Sequence, residues 1–200
     1  MSGRAGTQKG RKLPRVERRK QILAAATSAF SAAGFEDTGL DDVAAAAGVS
    51  RAILYRHFES KADLYRAVLE RARTRLQSAV GDPPYTQRII DDLLAAASAD
   101  PDGFRLLFHH AGREPDFRAE VDAFTAEMTR TAHEHLARFI ADPSWARWAA
   151  HLTPTVTIAA VLAWLDAGRP DPATAATRLR QAVHGISTAA SAEPARSPRH

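Results

Sequence analysis

The chain has 200 residues, 45% of them hydrophobic, which is enough apolar material for a real core and excludes a disordered polymer. It contains no cysteine, so disulfides and thiolate metal sites are excluded and a reducing, cytoplasmic setting is expected. The net charge of +4 is unevenly placed: residues 1–20 hold eight Lys and Arg against Glu17 alone, and a basic arm on a mildly acidic body suits an anionic polymer.

Residues 1–15 are rich in glycine and basic side chains and show no periodicity, so they read as a flexible arm. A first helix is expected over about Val16–Ala33, with Ile22, Ala26, Ala29, Phe30 and Ala33 inward. Gly34 ends it, and Phe35 can fold back as the apolar residue after a glycine cap. Thr38 with Asp41 three residues later forms a capping-box-like start for a second helix carrying Leu40, Val43, Ala44 and Ala47 on one stripe. Gly48 stops that helix where a left-handed backbone costs glycine nothing. Val49 turns inward, and Ser50 caps a third helix from Arg51. That helix buries Leu54 and Phe58 and shows Arg51, Ala52, Tyr55 and Arg56 on its other side. Two short helices joined by a glycine turn make a helix-turn-helix, and its second helix has the side chains to enter a major groove. Any two short amphipathic helices around a glycine share this outline, so the neighbouring signals matter. Ser60, with Asp63 as its partner, opens a fourth helix that bears Leu64, Val68 and Leu69 and runs to about Val80.

These residues resemble the DNA-binding domain of the tetracycline-repressor (TetR) family of transcriptional regulators over about Arg18–Glu70. The likeness is carried by Ala33-Gly34-Phe35, the Thr38 helix start, DDVAAAAGVS, the Leu54-Tyr55-x-His57-Phe58 run and Ser60-Lys61-x-x-Leu64. The resemblance implies an all-α protein of about nine helices: a helix-turn-helix domain at 16–62, and a ligand-binding and dimerisation domain at 63–190. It implies that Ser50, Arg51, Ala52, Tyr55 and Arg56 meet the major groove, and Arg51 suits guanine O6 and N7. Tyr55 and His57, with Thr38 and Lys61 at flanking helix starts, would hold phosphates. The arm (Arg4, Lys9, Arg11, Lys12 and Arg15) would add phosphate or minor-groove contacts. The family usually carries lysine and glycine where this chain has Arg51 and Ala52, which leaves the operator sequence open.

Beyond Gly81-Asp82-Pro83-Pro84, acidic-proline pairs at Asp100-Pro101, Glu114-Pro115, Asp142-Pro143 and Asp171-Pro172 each precede a helical apolar pattern. They divide the rest into helices over about Thr86–Ala99, Asp102–Gly112, Asp116–Ala141, Ser144–Ala167 and Ala173–Thr188. Pro154 should kink or split the fourth of these. Residues 191–200 lack an apolar pattern and read as a disordered tail. Large side chains concentrate at 104–128 among many alanines. Phe104, Leu107, Phe108, His110, Arg113, Phe117, Phe124, Met128, Trp148 and Trp164 are candidates to line a ligand cavity, or else they are ordinary core. Val156, Ala160 and Ala163, with Leu179, Val183 and Ile186, form stripes that face either a second copy across a two-fold axis or the protein's own core.

No helix carries an i, i+4 histidine pair, so no metal is expected, and a site from His110, His133 and His151 is the weaker reading. No P-loop or nucleophile elbow marks an enzyme, and no cofactor is implied. No apolar run approaches the roughly 20 residues of a membrane span, and the N-terminus lacks a signal-peptide core. The expected protein is therefore a cytoplasmic homodimer bound to a palindromic double-stranded operator and released by an unknown small molecule, most plainly a repressor. A helical protein that coats DNA non-specifically through its basic arm is the alternative.

Overall fold

The computed structural model describes residues 13–83 and 88–192, and all regular structure among them is helical. The expected arm contacts at Arg4, Lys9, Arg11 and Lys12, the helix start at Thr86 and most of the expected tail lie outside the described residues. The chain divides into two compact units, Met1–Tyr65 and Arg66–His200.

The first unit holds α1 (Arg15–Asp37), α2 (Leu40–Ala46), α3 (Arg51–Tyr55) and the start of α4 (Lys61–Val80). Gly34 breaks the helical path inside α1 with φ 81° and ψ 178°, and a last turn follows it. That turn returns Phe35 to the core, where its ring lies 5.1 Å from Tyr65 and 6.2 Å from Phe30. The buried face of α1 is Ile22, Leu23, Ala26, Thr27 and Phe30; Ala29 is half-buried and Ala33 exposed, because the kink ends the stripe one turn early. Val43, Leu54, Phe58 and Leu64 complete a core in which each large apolar side chain contributes about 1.5–3 kcal/mol.

Thr38 does not cap α2. The cap position is Gly39, without a side-chain bond, and the Thr38 hydroxyl instead donates to the Gly34 carbonyl at 2.6 Å and reaches that of Ala29 at 3.3 Å. It satisfies carbonyls at the end of α1 rather than amides at the start of α2. Ser60 does cap α4: its Oγ accepts from the Asp63 amide at 3.0 Å, and Asp63 accepts from the Glu59 amide.

The second unit contains the remainder of α4, then α5 (Ile89–Ala99), α6 (Pro101–Arg105), α7 (Arg118–Leu136), α8 (Pro143–Asp166) and α9 (Pro172–Ala190). The helix expected over Asp102–Gly112 is not one α-helix. After α6 the chain widens into a π turn at Leu106–His110, where the Ala111 amide reaches the Leu106 carbonyl, then tightens into a 3₁₀ turn at Ala111–Arg113. The extra residue in the turn lets Phe104, Leu106, Leu107 and Ala111 all be buried. Pro115–Phe117 is likewise a 3₁₀ turn, so α7 begins at Arg118, and it ends at Leu136 rather than Ala141. The segment after it carries Ile140 into a small core with Ala146, Ala149 and Ala190.

All four acidic residues before proline end up at the cap of a helix or 3₁₀ turn, two of them with the side chain accepting helix amides. Asp100 accepts from the Gly103 amide at 3.2 Å, and Asp142 from the Ser144 and Trp145 amides at 2.7 and 3.3 Å. Asp171 sits at its helix start with a left-handed φ of 43° and spends its carboxylate on the Thr174 hydroxyl. Pro154 does not split α8, which runs unbroken from Pro143 to Asp166. That helix is also long and apolar enough to cross a membrane by length and composition, with a mean hydropathy of 1.4, contrary to the run-length expectation. It packs against α7 and α9 through Ala146, Ala149, Ala150, Thr157, Val161 and Leu165, one helical face, and leaves the rest of its apolar surface partly exposed.

Candidate nucleic-acid interface

The turn between α2 and α3 is built from backbone bonds and one long-range cap. The Gly48 amide reaches Ala45 and the Val49 amide reaches Ala44, with Gly48 at φ 61°. Gln21, from α1, donates to the Ala47 carbonyl at 2.7 Å and so ties off the end of α2. Ser50 Oγ accepts from the Ile53 amide at 3.3 Å and starts α3. With Leu54 buried, α3 turns Arg51, Ala52, Tyr55 and Arg56 to solvent. Ser50 is exposed as well, and its hydroxyl proton stays available to a phosphate.

Arg51 donates from Nη1 to Asp41 Oδ2 at 2.8 Å and from Nη2 to the Tyr55 hydroxyl at 3.4 Å. The Tyr55 hydroxyl first, then the Asp41 charge, raise its already high pKa further, so it is a permanent cation. Next to α3, Arg19 lies over the Phe58 ring at 4.3 Å and donates to the His57 carbonyl at 3.1 Å, fixing the chain where α3 ends. His57 is half-buried; burial, then Arg15, Arg19 and Arg18, lower its pKa from the ordinary 6.5. Arg15 itself is exposed at the first residue of α1.

Two expected phosphate ligands make contacts within the first unit. Thr38 is only 4% exposed with its hydroxyl committed to α1. Lys61 donates to the Glu36 carbonyl at 2.8 Å and sits 4.7 Å from the centre of the Phe35 ring, so it caps the broken end of α1. Asp41, Gln21 and Arg19 shape the surface, yet the sequence reading assigned none of them there. The i, i+10 spacing of Asp41 and Arg51 across the turn is the only sequence sign of their pairing.

The cavity candidates scatter. Phe104 and Leu107 are buried beside a cavity of about 220 Å³ between α4, α5 and α6, whose edge carries the Arg75–Asp100 ion pair at 2.7 Å. Phe108 bridges Phe104 and Phe124 at 4.7 and 5.9 Å, and Met128 is half-buried on α7. His110 is half-buried with its pKa lowered, by burial first and then by His109 and Arg113. Phe117 is fully buried with the Arg66 guanidinium 5.2 Å from its ring, which makes it core. Arg113 is exposed and forms no ion pair among the described residues. Trp148 is 39% exposed and packs edge-on against Trp145, while Trp164 donates to the Pro170 carbonyl at 2.8 Å and pins the α8–α9 turn. A larger open groove of about 600 Å³ runs between α7 and α8, lined among others by Arg130, His133, Arg147 and His151. None but the two histidines was singled out in the sequence. No group of three metal-ligating side chains assembles among the described residues.

On α9 the expected dimer stripe is covered in part within the chain itself. Leu179 is 8% exposed, and Val183 and Ile186 are half-buried, with Ile186 packed against Ile140, Ala146, Ala149 and Ala190. On α8, Val156 and Ala160 are half-buried and Ala163 is exposed.

The family model described as bacterial regulatory proteins of the tetR family matches residues 22–68. Over 175 residues the chain is 34% identical to the HTH-type transcriptional activator FasR of Mycolicibacterium smegmatis, covering 82% of this chain and 80% of that one. Over 87 residues it is 36% identical to the HTH-type transcriptional repressor BepR of Brucella suis, covering 41% and 42%. A TetR-like regulator from Rhodococcus sp. RHA1 shares the fold with a TM-score of 0.76 at 24% identity, over 86% of this chain and 97% of that one.

Proposed function

The chain belongs to the TetR family of bacterial transcriptional regulators, and on that premise we propose that it is a cytoplasmic homodimer that binds a palindromic operator and represses transcription until a small molecule releases it. The observation that carries the reading is the outer face of α3, where Arg51, Tyr55 and Arg56 stand exposed while Leu54 and Phe58 anchor the helix from behind. Exposed guanidiniums on a short helix held by its own core are what major-groove readout needs. Ser50 and His57 flank them as phosphate contacts, and Arg15 extends the positive surface toward the arm. Thr38 acts on α1 instead, and Lys61 keeps donors for a phosphate beyond the one it gives to Glu36.

Five residues of helix read few base pairs, so two copies are required. Because Leu179 and Ile186 face inward, the pairing surface falls on the outward sides of α8 and α9, where Ala159, Ala163, Ala182 and Ala189 are exposed. Gly185 adds to it, since a Cβ there would meet no atom within 4 Å. Small residues let two helix pairs approach closely. A ligand is accommodated in the second unit, beside Phe104 and Leu107 or in the α7–α8 groove. The helix α4 belongs to both units by covalent continuity, so a ligand that favours one position of α4 shifts the DNA-binding equilibrium by its difference in affinity.

A second reading, activation, is favoured by the FasR relative, which matches over most of both chains and is named an activator. The test is a footprint on the DNA upstream of its own gene, against random duplex at two salt concentrations, with a reporter fused to the protected promoter. A protected palindrome with reporter output rising on loss of the gene supports repression. Falling output selects activation. Equal, salt-labile binding to both DNAs selects the non-specific coat.

A further inference from the structure

Arg51 is held from two sides. Asp41 comes from the first turn of α2 and Tyr55 from the next turn of α3, so one planar fork is gripped by both helices of the motif. The Asp41 and Arg51 side chains are 69% and 57% exposed, and an ion pair so open to water contributes little to the fold. Its consequence lies in orientation. The guanidinium has five N–H donors, of which these contacts occupy two, and three remain for a base. Guanine presents O6 and N7 in one plane and needs two donors in that plane at once. An unrestrained arginine can turn to a phosphate instead, which positions the protein but carries no sequence information. A carboxylate beside it restrains the fork and repels the phosphate backbone.

We propose that Asp41 is a positioning residue for operator recognition, holding the Arg51 fork toward a guanine and away from phosphates, so that base discrimination is gained while general DNA affinity is lowered. This rests on the reading of Arg51 as a base contact. The two effects of Asp41 have opposite signs: its charge weakens binding to every duplex, whereas its grip on Arg51 strengthens binding only where the right base stands. A residue with a merely structural role would lower both together.

The experiment uses the full chain, with selection from a randomised operator library and titration against operator and random duplex. The variants are Asp41→Ala, Asp41→Asn, Arg51→Ala and the Asp41→Ala/Arg51→Ala double. Asp41→Ala is expected to lose about tenfold in preference at one base position of each half-site. It should also bind random duplex a few-fold more tightly, as a lost negative charge requires. Asp41→Asn keeps an acceptor without the charge, so it should gain on random duplex yet retain part of the preference. The double variant should lose no more at that position than Arg51→Ala alone. If Asp41→Ala keeps the preference while Arg51→Ala loses it, or if Asp41→Ala weakens binding to both duplexes alike, the role of Asp41 is overturned and Arg51 still reads the base. If Arg51→Ala keeps the preference too, the base-reading assignment falls and the proposal with it.

Discussion

The first and seventh helices are of similar length, 23 and 19 residues, and they are stabilised in opposite ways. In α1 Ile22, Ala26 and Phe30 are wholly buried, and the Gly34 break adds Phe35 and Tyr65 to an aromatic cluster. In α7 no residue is fully buried: Phe124, Met128 and Leu136 share one half-covered side, and an open groove flanks the helix. The reading unit carries its rigidity in its own core. The second unit leaves apolar surface and volume unfilled around α7, and weakly packed elements of this kind are where ligand response is drawn from.

Phe30→Ala tests that contrast most strongly. It empties a fully buried site and ends an edge-on contact with Tyr65 at 4.9 Å, so a loss of about 3–5 kcal/mol is expected from urea unfolding followed by circular dichroism. Phe124→Ala, on the half-covered side of α7, should cost less than about 1.5 kcal/mol. Equal losses would mean that α7 is as well packed as α1, and the contrast would fail. Next in size is Arg51→Ala, expected to cost about 1–3 kcal/mol on the operator and less on random duplex, measured by paired titrations. Equal losses on both would make Arg51 a phosphate ligand.

Gly48→Ala sharpens the account of the turn. The glycine has φ 61° and open space where a Cβ would stand, so only backbone strain opposes the change. A cost of about 1–2 kcal/mol in unfolding is expected, with Gly48→Asn closer to wild type. A neutral alanine would show that the turn relaxes to another conformation.

Local signals were legible where a residue acts on its neighbours. Gly34, Gly48, the Ser50 cap and the Ser60–Asp63 pair were all readable from spacing, because their partners lie within four residues. Nearness alone does not decide the case of Thr38: its hydroxyl has two sets of orphan backbone groups in reach, and the Gly34 carbonyl at the end of α1 takes it. Lys61 gives one donor to the Glu36 carbonyl 25 residues back and sits over Phe35, contacts that spacing does not show. The break after Arg105 was invisible because a π turn has no composition of its own; it arises from burying Leu106 and Leu107 together. On α9 the periodicity marks an apolar stripe, but a stripe does not say which surface covers it, and at Ile186 it is the cluster of Ile140, Ala146, Ala149 and Ala190. The Asp41–Arg51 pair spans a turn, and only the turn's geometry brings its members to 2.8 Å.

The smallest expected effect is a pH slope from His57. Burial first, and then Arg15, Arg19 and Arg18, hold its pKa below 6.5. The folded chain therefore binds fewer protons there than the unfolded one. The contribution of His57 to stability is present above pH 6.5 and is lost as the pH falls through the lowered native value. A phosphate beside the ring reverses this, because it favours the imidazolium. The DNA-bound form then takes up a proton, and affinity for duplex should rise as the pH falls toward that native value and level off below it. His57→Gln should flatten the slope and change affinity little at neutral pH. Titrations at fixed salt over about pH 5–7.5 check this. A slope that survives His57→Gln would assign the proton to another group, and a flat wild-type profile would place the ring away from the phosphates while leaving the outer face of α3 as the reader.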